Sequence, residues 1–290
     1  MKLIWKFNAA LIGIFIVGFL LAAFVSNSVL KANARDEVLQ HARIMLESAS
    51  SSRNYTDSQG RPLLETQLKY RFLPQSVPQF AATEQFNDLR KKYPDYAYKE
   101  ATLNPTNPRD HATDWEVDVV NQFRQVSTRT EVVGERDTPE GHSLFLARPI
   151  QIKDPACLVC HGTPDVAPKT MIEAYGANNG FGWKINDIVG AQVVSVPTSV
   201  SVQRANYTLK VFLLLLGAIF LFTMVMLNLM LYWVVIRRVK RLASLADEVS
   251  LGNLDAGEFR TKSADEIGVL TEALNRMKTS MVQAIKMLES

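Results

Sequence analysis

The chain is poor in the residues that build most catalytic and metal centres. Its 290 residues include two cysteines and four histidines. It has no glycine-rich loop for a nucleotide phosphate and no metal-protease motif, and its carboxylates are scattered as on a solvated surface, so no enzyme is expected. The formal net charge of +3 is too small for a nucleic-acid surface. Internal repeats and low-complexity linkers are absent as well. What remains is uneven hydrophobicity and one dense motif that consumes both cysteines.

Residues 7–25 and 211–236 are almost unbroken apolar runs, each long enough to cross a bilayer as a helix. In the second, Asn228 and Thr223 are the clearly polar residues. The first is longer than a signal-peptide core, and Ser26-Asn27-Ser28 is a weak cleavage site, so an uncleaved helix is expected. Lys2 and Lys6 precede the first run, and Arg237, Arg238, Lys240 and Arg241 follow the second. Basic flanks stay in the cytoplasm, which places both chain ends there. Residues 1–26 are then a first membrane helix and 27–209 a periplasmic domain of ordinary size. Residues 210–236 form a second membrane helix, and 237–290 a cytoplasmic module. Bacterial inner-membrane localisation follows, with lipid as a partner.

The outer segment reads as a mixed α+β domain. Residues 33–52 are helical, with Val38, Ala42, Met45 and Ala49 on one face. Gly60-Arg61-Pro62 is expected to break that helix. Pro74, Pro78, Pro94, Pro105 and Pro108 favour short elements and ordered loops. Residues 114–124 form a helix with Trp115, Val119 and Phe123. Residues 143–150 and 189–196 read as strands.

Cys157-Leu158-Val159-Cys160-His161 is the Cys-x-x-Cys-His pattern of c-type haem attachment. The two thiols would hold one haem c per chain, and the imidazole would ligate its iron. Three other readings stand beside it. A redox disulfide expects a strand-to-helix context and leaves His161 unused. A zinc site would need a fourth ligand beyond these three. The third is a chance match in a loop. The sixth iron ligand is sought among His41, His111, His142, Met45 and Met171. Met45 ranks first because it sits on the apolar face of the first helix. His41, one turn before it, ranks second. An open sixth position is a further alternative. Most buried methionines are core fillers, which is the ordinary role for Met45.

Several stretches resemble a family of bacterial c-type haem sensor domains. They are Leu146-Ala147-Arg148-Pro149-Ile150 leading to the Cys157–His161 motif, Asn104-Pro105-Thr106-Asn107-Pro108-Arg109-Asp110, Tyr175-Gly176, Gly180-Phe181-Gly182-Trp183-Lys184 and Val189-Gly190-Ala191-Gln192. The resemblance implies a PAS-like core, an antiparallel sheet with flanking helices, covered by an N-terminal helix. It also implies a distal ligand on that helix, a cysteine in a relative. This chain has no cysteine there, and Met45 or His41 is the substitute.

The tail resembles a HAMP domain. Leu242, Leu245 and Val249 lie in its first helix, Gly252, Leu254 and Phe259 in a connector, and Asp265-Glu266-Ile267-Gly268 opens its second helix. Ile267, Leu270, Leu274, Met277, Met281, Ala284 and Leu288 alternate at three and four, the spacing of a coiled-coil seam. The usual proline near the start is replaced by Val239 or Lys240. Together these features imply a homodimeric haem-based sensor of redox state or a small ligand. It would signal through HAMP to a separate effector such as a kinase or cyclase. The alternative is a membrane-anchored monohaem cytochrome for electron transfer.

Overall fold

The computed structural model describes residues 3–139, 141–253, 257 and 265–288. Its elements divide into two units, Val25–Leu209 in one and Met1–Phe24 with Lys210–Ser290 in the other. Leu254 and Phe259 of the expected connector lie outside the described residues.

Helix α1 (Leu3–Tyr55) buries Val38, Ala42, Met45 and Ala49, as the spacing of these residues demands. The expected break at Gly60-Arg61-Pro62 does not occur. Thr56–Gly60 form a π turn, and α2 (Arg61–Leu68) continues directly from it. Pro62 stands in the first turn of α2. Its missing N–H is harmless there, and the wider π turn absorbs the change in hydrogen bonding. Helix α3 (Pro78–Arg90) also starts on a proline.

The sheet contains β1 (Ala97–Thr102), β2 (Val132–Thr138), β3 (Gly141–Gln151) and β4 (Ile188–Pro197). Helix α4 (Asp114–Gln125) falls between β1 and β2, opened by a capping box of Thr113 and Glu116. The strand order is β1-β4-β3-β2 and every pair is antiparallel. Alternation sorts the side chains onto two faces. Leu144, Leu146, Val194 and Val196 pack with Leu46, Ala49 and Phe86 from α1 and α3. Ala147, Ala191 and Val193 pack with Val119, Val120 and Phe123 from α4. The domain is thus three layers with the sheet in the middle.

The β2–β3 hairpin carries His142, with Nδ1 2.9 Å from Asp137 and Nε2 3.3 Å from Glu135. Arg35 also binds Glu135, at 3.1 Å. Asp137 first, then Glu135, raise the imidazole above its ordinary pKa. A raised folded pKa gives stability that is complete below about 6.5 and is lost as pH rises through the folded value. The cluster is exposed, so the effect is small. Urea midpoints of the wild type should fall slightly between pH 6 and 8, and His142→Gln should flatten that slope. An unchanged slope in the variant would remove His142 from the explanation.

The second unit contains most of α7 (Ser199–Met230), a π turn at Leu231–Ile236, α8 (Arg237–Ser250) and α9 (Glu266–Leu288). Among the described residues, two helices are long and apolar enough to cross a membrane, one near the N-terminus and one beginning at Ser199. They meet through two reciprocal amide bonds. Asn8 Nδ2 donates to Asn228 at 2.9 Å, and Asn228 Nδ2 donates back at 2.8 Å. Phe15 stacks on Phe220. On the tail, Asp265 caps α9 by accepting from Ile267 and Gly268 N–H groups. Leu242 and Val249 of α8 are buried beside Ile267 and Leu274 of α9. Leu270, Met277 and Met281 on the same stripe stay exposed.

Candidate functional site

Strand β3 bends out of the sheet at a bulge between Ile150 and Gln151. Strand β2 ends opposite Ala147, so Pro149 lies on a free edge where its missing N–H costs no bond to β2. The bend delivers the chain to Asp154, whose side chain accepts from Ala156 N–H at 2.8 Å. A tight turn at Pro155–Cys157 and the short helix α5 (Leu158–His161) follow. Helix α6 (Lys169–Tyr175) comes next.

His161 is held on three sides. Its Nδ1 lies 2.7 Å from the Gly180 carbonyl. A carbonyl only accepts, so Nδ1 carries the hydrogen and Nε2 keeps its lone pair. The ring stacks on Trp183, centroids 4.0 Å apart and planes 14° from parallel. Trp183 N–H donates to the His161 carbonyl, and Gly182 N–H to that of Gly162. Burial lowers the pKa of His161, with the Gly180 bond acting against it. The imidazole is therefore neutral at pH 7, the state a metal requires.

Cys157 and Cys160 are free and half-buried. Burial raises the pKa of both, and Asp154 raises that of Cys157 further. Redox-active Cys-x-x-Cys pairs need the opposite shift. Among the described residues, no three His, Cys, Asp or Glu side chains converge as metal ligands.

Both cysteines and His161 line a cavity of about 400 Å³, within the range of small-molecule sites. Phe72, Phe80, Ile152, Met171 and Trp183 supply apolar wall. Arg53, Arg61 and Arg109 also line it, paired with Glu100, Asp57 and Glu84 respectively, and Asp57, Asp110 and Asp154 share the wall. Thr106 Oγ1 is buried against this cavity without a hydrogen-bond partner. A flat apolar macrocycle fits this set of thiols, imidazole and aromatic walls.

Sequence reasoning missed the anchor of Arg53. Glu100 is fully buried on β1 and accepts from Tyr98 Oη at 2.6 Å and from Arg53 Nη1. Burial first, then Glu100, raise the pKa of Tyr98, which stays a donor. The available signal was Tyr98-x-Glu100-x-Thr102, an alternating set whose inward charge requires a partner.

The ligand candidates are dispersed. Met45 lies in the packed layer between α1 and the sheet, with Leu46, Leu146 and Val194. His41 is exposed. His111 lies against the Ala112 carbonyl, and His142 is in the hairpin. None of these four lines the cavity, whereas Met171, 3 % exposed, does. The face of α1 that holds Met45 packs on the sheet. Only the last residues of that helix, Arg53 and Asn54, reach the cavity.

Comparison with known proteins locates two families along the chain. The Tll0287-like family (Tll0287) matches residues 31–197, and the HAMP domain matches 230–283. A solved structure described as the cyanobacterial heme-protein Tll0287 is 20 % identical, with a TM-score of 0.43. That alignment covers 56 % of this chain and 95 % of the other. No curated protein matches.

Proposed function

This chain belongs to the Tll0287-like family, with a HAMP domain after its family segment, and from that premise we propose that it is a membrane-bound haem-based signal transducer. Its sensory core is PAS-like and periplasmic, and holds one covalent haem c. Its HAMP segment dimerises in the cytoplasm and addresses a separate effector. The observation that carries the haem reading is the His161 constellation, two free thiols beside an imidazole whose Nδ1 is committed to Gly180.

Each thiol would add its S–H across a vinyl C=C bond. One S–C bond forms and the proton passes to the other vinyl carbon, with no net oxidation. His161 would offer Nε2 to the iron, oriented by Gly180 and Trp183. Met171 replaces Met45 as the proposed sixth ligand, because Met171 lines the cavity and Met45 does not. When bound, haem would supply an iron whose oxidation state or sixth ligand can change.

Helices α1 and α7 support the membrane reading by length and composition, and basic residues after α7 support a cytoplasmic tail. Helix α1 supports a short route for the signal, because its last turn contributes Arg53 and Asn54 to the cavity wall.

A haem stain on a denaturing gel tests the core of the proposal. Wild type should stain, and Cys157→Ala with Cys160→Ala should lose essentially all of it. No stain in wild type expressed with a haem-attachment system would sink the proposal. In the stained protein, Met171→Ala should change the visible spectrum and Met45→Ala should not.

A further inference from the structure

A second cavity of about 370 Å³ opens beside the edge strand β1, between α3 and the start of α4. Its wall carries four cations and two carboxylates. Lys99 is bound to Glu116 at 2.7 Å, and Arg109 to Glu84 at 2.5 Å and Asp110 at 3.6 Å. The other two cations, Arg90 and Arg136, have no carboxylate partner among the described residues. Arg136 stands over Trp115, with its guanidinium carbon 4.0 Å from the ring centroid. At the back, Thr83 is 7 % exposed and its Oγ1 is buried without a partner. A buried hydroxyl left unpaired is costly, so the site is incomplete as it stands.

We propose that this cavity binds a small organic carboxylate, held by Arg90 and Arg136 and hydrogen-bonded by Thr83. Guanidinium groups match a carboxylate with two parallel N–H···O bonds, and such charge-assisted bonds are the strong ones. Trp115 and Val193 give the wall an apolar side that suits a short carbon chain. This site stands whether or not the cavity beside Cys157 holds haem.

Acetate is the probe, titrated into the full chain in detergent at constant ionic strength against chloride and inorganic phosphate. Tryptophan fluorescence should respond saturably to acetate because Arg136 rests on Trp115. Arg90→Gln with Arg136→Gln should weaken binding about tenfold or more, since two charge-assisted contacts are lost. Thr83→Val, close in shape, should weaken it severalfold. Arg90 is exposed, so Arg90→Gln alone is a variant that keeps the fold, and it should also weaken acetate. The proposal is overturned by a flat acetate titration, by acetate binding kept in the double arginine variant, or by phosphate binding more tightly than acetate.

Discussion

Glu100→Ala is expected to destabilise the outer domain by about 3–5 kcal/mol, the usual cost of stripping one partner from a buried ion pair. The Glu100 carboxylate is fully buried and accepts from both Tyr98 and Arg53. Its removal leaves the buried Tyr98 hydroxyl and the partly exposed Arg53 guanidinium without their acceptor. The loss should appear as a lower urea midpoint, followed by tryptophan fluorescence of the purified chain in detergent. Glu100→Gln keeps the shape and should cost less. Replacing both members, Arg53→Met with Glu100→Leu, should recover much of the stability, because no charge is then stranded. If the single alanine variant unfolds at the wild-type midpoint, the network is not the anchor that its burial implies. In the haem-bearing protein, a displaced Arg53 should also disturb the cavity it lines.

Gly180→Ala should cost about 2–5 kcal/mol through left-handed backbone strain and overpacking. Gly180 has φ +83°, and an added Cβ would stand 2.0 Å from Thr106 Oγ1 and 2.9 Å from Thr106 N. The second contact is with backbone, which cannot rotate away. The same residue gives its carbonyl to His161 Nδ1, so relief by backbone movement would release the imidazole. In the haem-bearing protein of the proposal, visible spectra should therefore change even in the fraction that folds. Thr106→Gly in the same chain should relieve the side-chain clash and leave the φ strain and the backbone contact, restoring only part of the loss. Wild-type spectra in Gly180→Ala would show that His161 does not depend on this carbonyl.

Where the sequence was readable, one periodicity dominated. Helices α1 and α4 are legible because each buries an apolar face at helical spacing, and strands β3 and β4 because their apolar residues are buried on both faces of the sheet. Strand β1 was hidden because Lys99 and Glu100 interrupt it, and both make sense only with partners from α4 and α1. Strand β2, with Glu135, Arg136 and Asp137, was hidden by charge at the edge of the sheet. Helix α3 lies in the proline-rich stretch where short elements and ordered loops are expected, and Pro78 starts it. The Cys157–His161 motif was visible in full, since its chemistry is local. Its support was not, because Gly180, Trp183 and Arg53 come from distant segments. Met45 illustrates the limit: periodicity identifies a buried face but not what covers it.

The π turn at Leu231–Ile236 has a consequence for how the tail is numbered against the span. A π turn holds one residue more than an α turn, and each residue advances an α-helix by about 100°. The stripe of Leu242 and Val249 on α8 is therefore out of phase with a count carried straight through α7. Deleting one residue within 231–236 would turn that turn into ordinary helix while keeping the downstream face. The same deletion a few residues later would rotate the face by about 100°. The π turn is thus a phase adjuster, and the azimuth of the α8 stripe is set there.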